Sequence, residues 1–307
     1  MEIEILGAES LGVRGLSCLV KTMNRRILID PGVALGYRRE GLSPHPLQVA
    51  VGEDVRKRIL NKVADATDVV ISHFHGDHMP LMDANPYQIG LESFIQRIGT
   101  PRLWIKGILG ESPRFEQRKN ALLGGLNREA SPCEARTYGP LSFSQPMPHG
   151  LRGNNMGTVM MTRIEEGSET FVHASDIQLL DDEPVDQILD WNPTMLLVSG
   201  PPLYRGVPKE QLAKAEKRLR NLAERVGCCI VDHHLLRCGD GAKWLNMLEA
   251  EIQGKILCAA DFMNVERRFL EAQRAELYDR MPVAENWHEL YSRGLVNAAE
   301  FRAIAGL

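Results

Sequence analysis

Apolar residues change their spacing several times along this chain, and each change marks an expected element. Residues 2–30 carry three short apolar stretches, broken by a glycine-rich turn around Gly12–Gly15, which predict three strands. Residues 36–52, with prolines and His45, predict a loop of special backbone geometry. From Glu53 to Ala64 the pattern turns helical, with Val55, Ile59, Leu60 and Val63 on one face. The run Val69-Val70-Ile71-Ser72 then reads as a buried strand. Residues 79–130 read as mostly helical: Ile89, Leu91, Phe94, Ile95 and Ile98 share a face, and Pro113 opens a helix over Arg114–Leu123.

The second half alternates more regularly. Residues 157–175 predict a hairpin, out along Val159–Ile164, turning at Glu165-Glu166-Gly167-Ser168, and back along Thr170–Val172. Asp182–Leu189 predicts a helix and Met195–Ser199 a strand. Pro208–Arg225 is a helix by its start signal and by Gly227 past its end. Cys228-Cys229-Ile230-Val231 is a further short strand, and 242–307 is helical apart from Ile256–Ala259. No repeat, low-complexity tract or linker is visible. The expectation is one α/β domain over 1–307, with two sheets covered by helices on both outer faces. Residues 79–130 would be a helical insertion and 242–307 a helical carboxy-terminal segment.

Composition narrows the class without choosing a function. The chain has 307 residues, 44% hydrophobic and 25% charged, as in ordinary soluble globular proteins. A chain this long buries roughly three quarters of its unfolded surface. Its net charge of -4 gives no global attraction to nucleic acid, although a local basic patch stays open. No apolar run approaches the roughly 20 residues of a membrane span. Met1-Glu2-Ile3-Glu4 lacks the regions of a signal peptide. The six cysteines form no C-x-x-C pair and read as reduced thiols. A cytoplasmic location and no membrane partner are expected; the oligomeric state is not set by the sequence.

The chemistry concentrates in His73-Phe74-His75-Gly76-Asp77-His78. Three of the nine histidines fall in these six residues, directly after a buried strand. Imidazole nitrogen with carboxylate oxygen suits zinc, manganese or iron(II). Further His or Asp residues stand at strand ends: Asp30, His149, Asp176, His233 and His234. His45 and His288 stand without a motif, and His173 falls within a strand, where a core or supporting role is expected.

The order strand-Asp, His-x-His-x-Asp-His, His, Asp, His resembles the metallo-β-lactamase fold superfamily of metal-dependent hydrolases. The resemblance covers Asp30 to His234. The stretches Glu9–Arg14 and Leu28–Gly36 look like an archaeal-type branch of it. It implies a four-layer αββα sandwich and two divalent metal ions, zinc first, with manganese or iron as the other candidates. By the same resemblance His73, His75 and His149 would hold one ion, and Asp77, His78 and His233 the other. Asp176 would bridge them, and a hydroxide shared between the ions would attack the substrate. His233 is favoured over His234 because Arg237 follows it by four residues. His234 would then support the site or give a proton to the leaving group, so Asp77 and His234 are the candidate catalytic residues. Asp30 would fix a ligand histidine through a hydrogen bond.

Substrate clues are fewer. Arg102, Lys106, Arg114, Arg118 and Lys119 outnumber Glu111 and Glu116 in one segment, so Lys106 and Arg118 are candidates for holding phosphate. Tyr204, after Gly200-Pro201-Pro202-Leu203, could line the pocket. The favoured expectation is a phosphodiester or phosphate-ester hydrolase acting on a small molecule or other phosphodiester. The alternatives are a carboxylic-ester, thioester or lactone hydrolase, an iron-dependent redox enzyme, or a binding protein with a relict site. Nucleic acid stays open as a substrate, but low aromatic content (6%) weakens it.

Overall fold

The computed structural model describes residues 1–153, 156–252 and 254–307. Its first sheet has the order β1-β2-β3-β4-β5. β1 (Glu2–Gly7), β2 (Ser17–Lys21) and β3 (Arg26–Ile29) pair antiparallel. β4 (Asp68–Ile71) and β5 (Arg102–Ile105) then add in parallel. The second sheet has the order β14-β13-β12-β11-β10-β7-β6. Here β6 (Thr137–Tyr138), β7 (Leu141–Phe143), β10 (Thr162–Glu166) and β11 (Glu169–Ala174) pair antiparallel. β12 (Met195–Val198), β13 (Cys228–Val231) and β14 (Ile256–Leu257) follow in parallel. A separate ribbon joins β8 (Met147–Pro148) to β9 (Thr158–Val159).

Strand pleat sorts the side chains into layers. Ile27 and Ile29 of β3 join one buried cluster with Phe171, Leu197 and Ile230 of the second sheet. Leu28, between them, points the other way, into a cluster with Val55, Ile59 and Val63 of α1 (Pro46–Ala64). α2 (Leu91–Ile95) and α3 (Pro113–Leu126) add to that outer layer. α4 (Glu183–Trp191), α5 (Lys209–Arg225), α6 (Gly239–Glu251) and α7 (Ala259–Phe262) belong to the second half. α8 (Arg274–Arg280), α9 (Trp287–Ser292) and α10 (Ala299–Ile304) return to the first sheet's side, where Leu277, Trp287 and Ala298 pack with α1. The result is the expected four-layer αββα sandwich. Among the described residues no helix is long and apolar enough to cross a membrane.

Three local expectations need correction. α1 begins at Pro46, not Glu53. His45 caps it, its Nδ1 accepting from the Leu47 amide at 3.1 Å. Residues 46–52 are buried all round, so they show no polar face for periodicity to detect. The segment 79–130 is not a helical insertion throughout, because it supplies β5, an edge strand of the first sheet. Its four residues alternate too briefly to stand out between two helical stretches. The hairpin is shorter than expected: Thr162–Glu166 pairs with Glu169–Ala174, while Thr158–Val159 serves the separate ribbon.

The two halves, which share no visible sequence repeat, share a strand plan. Each runs through antiparallel strands and then adds parallel ones, so β3 and β11 hold matching places. Each is followed closely by an aspartate in the left-handed region, Asp30 (φ 49°) and Asp176 (φ 55°).

Candidate metal centre

The connections after β3, β4, β8, β11 and β13 converge at one end of the sandwich, as loops at strand ends commonly do. β4 delivers His73–His78, and β8 delivers His149. β11 delivers Asp176, and β13 delivers His233 and His234. The loops approach very closely. A Cβ on Gly32 would sit 2.1 Å from the Met79 amide nitrogen and 2.3 Å from the His78 carbonyl carbon. Only glycine fits there, and the turn after Asp30 is thereby locked onto the metal-binding loop.

Asp30 is wholly buried and fully occupied. Its Oδ1 accepts from the Ser72 amide at 2.8 Å, and its Oδ2 accepts from the Ser72 and Ser175 hydroxyls at 2.7 Å each. His78 Nδ1 lies 3.1 Å from Oδ2, leaving Nε2 to face the centre. Burial opposes the charge on Asp30, but His78 outweighs it and holds the carboxyl at about 2. Asp30 thus holds His78 by Nδ1 and turns its Nε2 toward the other imidazoles.

Asp176 organises everything else. Around its Oδ2 stand His149 Nε2 at 2.7 Å, His73 Nε2 at 3.2 Å, His234 Nε2 at 3.3 Å and His75 Nδ1 at 3.5 Å. Around its Oδ1 stand His78 Nε2 at 2.9 Å and His233 Nε2 at 3.1 Å. Asp77 joins the second group, its Oδ2 lying 3.7 Å from His233 Nε2. The carboxylate thus divides six imidazoles between its two oxygens.

These residues fit divalent cations. Asp176 Oδ1 is buried and accepts no well-aligned hydrogen bond among the described residues, which is costly unless a cation faces it. Ring nitrogens face one another, His73 Nε2 to His75 Nδ1 at 3.0 Å and His78 Nε2 to His233 Nε2 at 3.2 Å. Nitrogens packed this closely suit a shared Lewis acid once their protons are displaced; His233 Nδ1 accepts from the Gly15 amide at 3.2 Å, so in the neutral ring its Nε2 carries one. Burial drives His73 down to about 3 and His233 to about 4, so both rings are neutral. On His78 burial is overcome by the carboxylates of Asp176, Asp77 and Asp30, which hold a proton that a cation would displace. His73 Nδ1 is held by Ser72 Oγ at 2.9 Å, and the Gln178 side-chain nitrogen donates to His149 Nδ1 at 3.1 Å, which leaves the proton of that ring on Nε2, toward Asp176.

A buried ionic frame surrounds this group. Arg237 donates to Glu9 at 2.7 Å, to Asp77 at 3.1 Å and to the Tyr204 hydroxyl at 3.1 Å. Arg14 pairs with Glu271, at 2.6 Å through Nε. Asp232 holds the turn that aims His233: it accepts from the amides of Ser10 at 3.1 Å, His233 at 2.6 Å and Ala259 at 3.0 Å, with His233 at φ 73°. A cavity of about 370 Å³ opens above, lined by His75, Asp77, His149, Asp176 and His234, and by five arginines, 14, 114, 118, 205 and 237.

Most sequence candidates meet here, with two changes. Arg118 lines the cavity and donates to the Phe74 carbonyl at 2.7 Å. Lys106 does not reach it: the side chain is buried and paired to Glu111 at 2.6 Å. Counting charge along the segment could not show that this cation was already neutralised. Tyr204 stands behind the cavity, its hydroxyl occupied by His234 Nδ1 at 3.1 Å and by Arg237. His173 is buried against the Leu16 carbonyl at 2.8 Å, a core role. His288 bridges Tyr87 at 2.7 Å and Tyr278 at 3.1 Å, away from the centre. Glu9, Arg14, Arg205, Asp232 and Glu271 went unrecognised as site residues, although Glu9 and Arg14 delimit a stretch that carries the family resemblance.

No family model matches the chain. It is 46% identical over 303 residues to a UPF0282 protein of Methanosarcina mazei, covering 98% of this chain and 99% of that one. A UPF0282 protein of Thermococcus gammatolerans is 35% identical over 293 residues, 91% and 96% of the two chains. Among solved structures, a metal-dependent hydrolase of the beta-lactamase superfamily matches with a TM-score of 0.51 at 16% identity. That match covers 83% of this chain and 94% of the other, and it shows a shared fold.

Proposed function

This chain belongs to the UPF0282 family and has the metallo-β-lactamase fold, and from that premise we propose that it is a hydrolase working with two divalent ions on a phosphodiester or phosphate ester. The division of imidazoles between the two oxygens of Asp176 carries this reading. His73, His75 and His149 would hold one ion, Asp77, His78 and His233 the other, and Asp176 would serve both. Imidazole and carboxylate donors suit zinc first, then manganese or iron. Bound there, the ions would supply hydroxide at neutral pH and polarise the phosphoryl oxygen.

The protein's own groups provide the rest. Asp30 orients His78, and Arg237 steadies Asp77. His234 lies beside the His73–His149 group without being needed in either set. Tyr204 fixes its Nδ1, and burial with Arg237 beside it holds the ring neutral, so its Nε2–H is placed to hydrogen-bond the leaving oxygen. Of the five arginines along the cavity, Arg114, Arg118 and Arg205 pair with no carboxylate among the described residues and support phosphate over a neutral carbonyl substrate. The six free cysteines agree with a reducing, cytoplasmic setting.

The test is hydrolysis of bis(p-nitrophenyl) phosphate by protein stripped and reloaded with Zn²⁺ or Mn²⁺, with metal content measured on the same sample. Turnover with about two ions per chain is expected. Two ions without turnover of this diester, but with cleavage of p-nitrophenyl acetate or a lactone, would move the substrate to carboxyl esters. Retention of iron alone would point to redox chemistry instead.

A further inference from the structure

The five cavity arginines fall into two kinds. Arg14 and Arg237 are tied to carboxylates, the first to Glu271 and the second to Glu9 and Asp77. Arg114 and Arg118 on α3, and Arg205 at the end of a 3-10 turn (Leu203–Arg205), pair with no carboxylate among the described residues. α3 is pinned over the centre. Glu111, just before it, accepts from Lys106 and from the Thr158 amide at 3.0 Å, and Phe115 meets the His75 ring edge-on at 5.1 Å. Arg118 is held there by the Phe74 carbonyl, while its Nε is buried without a partner. Arg205 reaches in from the opposite half, with Nη1 2.8 Å from Met156 Sδ and its guanidinium over the Tyr204 ring. Arg114 and Arg118 are like charges four residues apart on one helix, an arrangement that is unfavourable until an anion joins them. Partial burial and Arg114 both weaken the hold of Arg118 on its proton, and Asp83 and Asp77 only partly oppose them.

We propose that Arg114, Arg118 and Arg205 form a subsite for a second, unreacting phosphate, so that the substrate carries at least two phosphate groups. The proposal rests on the hydrolase reading above, in which the first phosphate occupies the metal centre. Planar guanidinium forks converging from α3 and from the 3-10 turn suit a tetrahedral dianion. The second phosphate could belong to a small bisphosphate or to the neighbouring linkage of a nucleic-acid strand.

Calorimetry on the Zn²⁺-loaded chain tests this with probes that cannot be hydrolysed: propylphosphonate against propane-1,3-bisphosphonate. The bisphosphonate is expected to bind about tenfold more tightly or better, the return of one additional charge-assisted contact. Arg114→Ala with Arg205→Ala, both changes at exposed side chains, should bring that ratio to within about twofold. Arg97→Ala with Arg225→Ala, the same loss of two charges at exposed side chains outside the cavity, should leave it intact. A wild-type ratio near one, or a ratio the double variant does not move, would overturn the subsite. A short phosphorothioate oligothymidylate binding far more tightly than the bisphosphonate, with steep salt dependence, would assign the second phosphate to a strand; equal binding would assign it to a small molecule. Diester hydrolysis without the ratio would remove the subsite and leave the hydrolase, whereas the ratio without hydrolysis of any ester would do the reverse.

Discussion

The first and second halves of this protein place an aspartate at the same point of the same strand plan and use it for opposite purposes. Asp30 follows β3 and Asp176 follows β11, both buried and both left-handed. Asp30 meets an amide and two hydroxyls, all donors, and has no oxygen left for a cation. Asp176 meets imidazole nitrogens at both oxygens, and its Oδ1 accepts no well-aligned hydrogen bond among the described residues. The strand ends show a second contrast of this kind. After β5, Lys106 is closed off by Glu111, while after β13, Asp232 gathers three amides and so aims His233. A buried charge is therefore structural or functional according to what faces it, not according to its place in the fold.

The comparison breaks most readily at Asp176. Asp176→Asn removes the one carboxylate facing both imidazole groups. Metal content should fall from about two ions to less than one per chain, with turnover lost. Retention of both ions would show that Asp176 is no more a ligand than Asp30. His234→Ala should keep both ions but slow turnover by about tenfold, the size of one lost hydrogen bond to the leaving oxygen. If an ion is lost instead, His234 takes the place given to His233. Asp30→Asn should weaken metal affinity by about 10–100-fold, the range for a partner that only orients a ligand. An effect as large as that of Asp176→Asn would erase the distinction between the halves.

The smallest functional effect is expected at Lys106. Lys106→Met breaks a buried pair and should cost about 3 kcal/mol in chemical denaturation. Metal content and KM should stay unchanged. A raised KM for a phosphate ester with stability unchanged would restore Lys106 to substrate binding and undo the contrast with Asp232.

Much of the centre was legible in the sequence, for a physical reason. His73, His75, Asp77 and His78 are neighbours in the chain, and the remaining donors each end a strand that apolar patterning can find. Glu9 and Glu271 left no such signal. They reach the site from positions about 260 residues apart, each facing an arginine that only packing brings near. Arg205 followed the noticed Tyr204 by one residue, but which of the two lines the cavity depends on how the 3-10 turn is seated.

The sequence by itself therefore determined the kind of chemistry, because ligand identity and strand-end placement are local properties written in residue order. It also determined the strand-rich start and most later helices, which periodicity records. The tertiary structure alone decided how the parts are shared out. It set the matching strand order of the two halves, the division of six imidazoles by one carboxylate, the closing of Lys106 by Glu111, and the gathering at one mouth of three arginines that have no carboxylate partner among the described residues. Those outcomes depend on pairing and burial between distant segments, and local pattern carries no information about either.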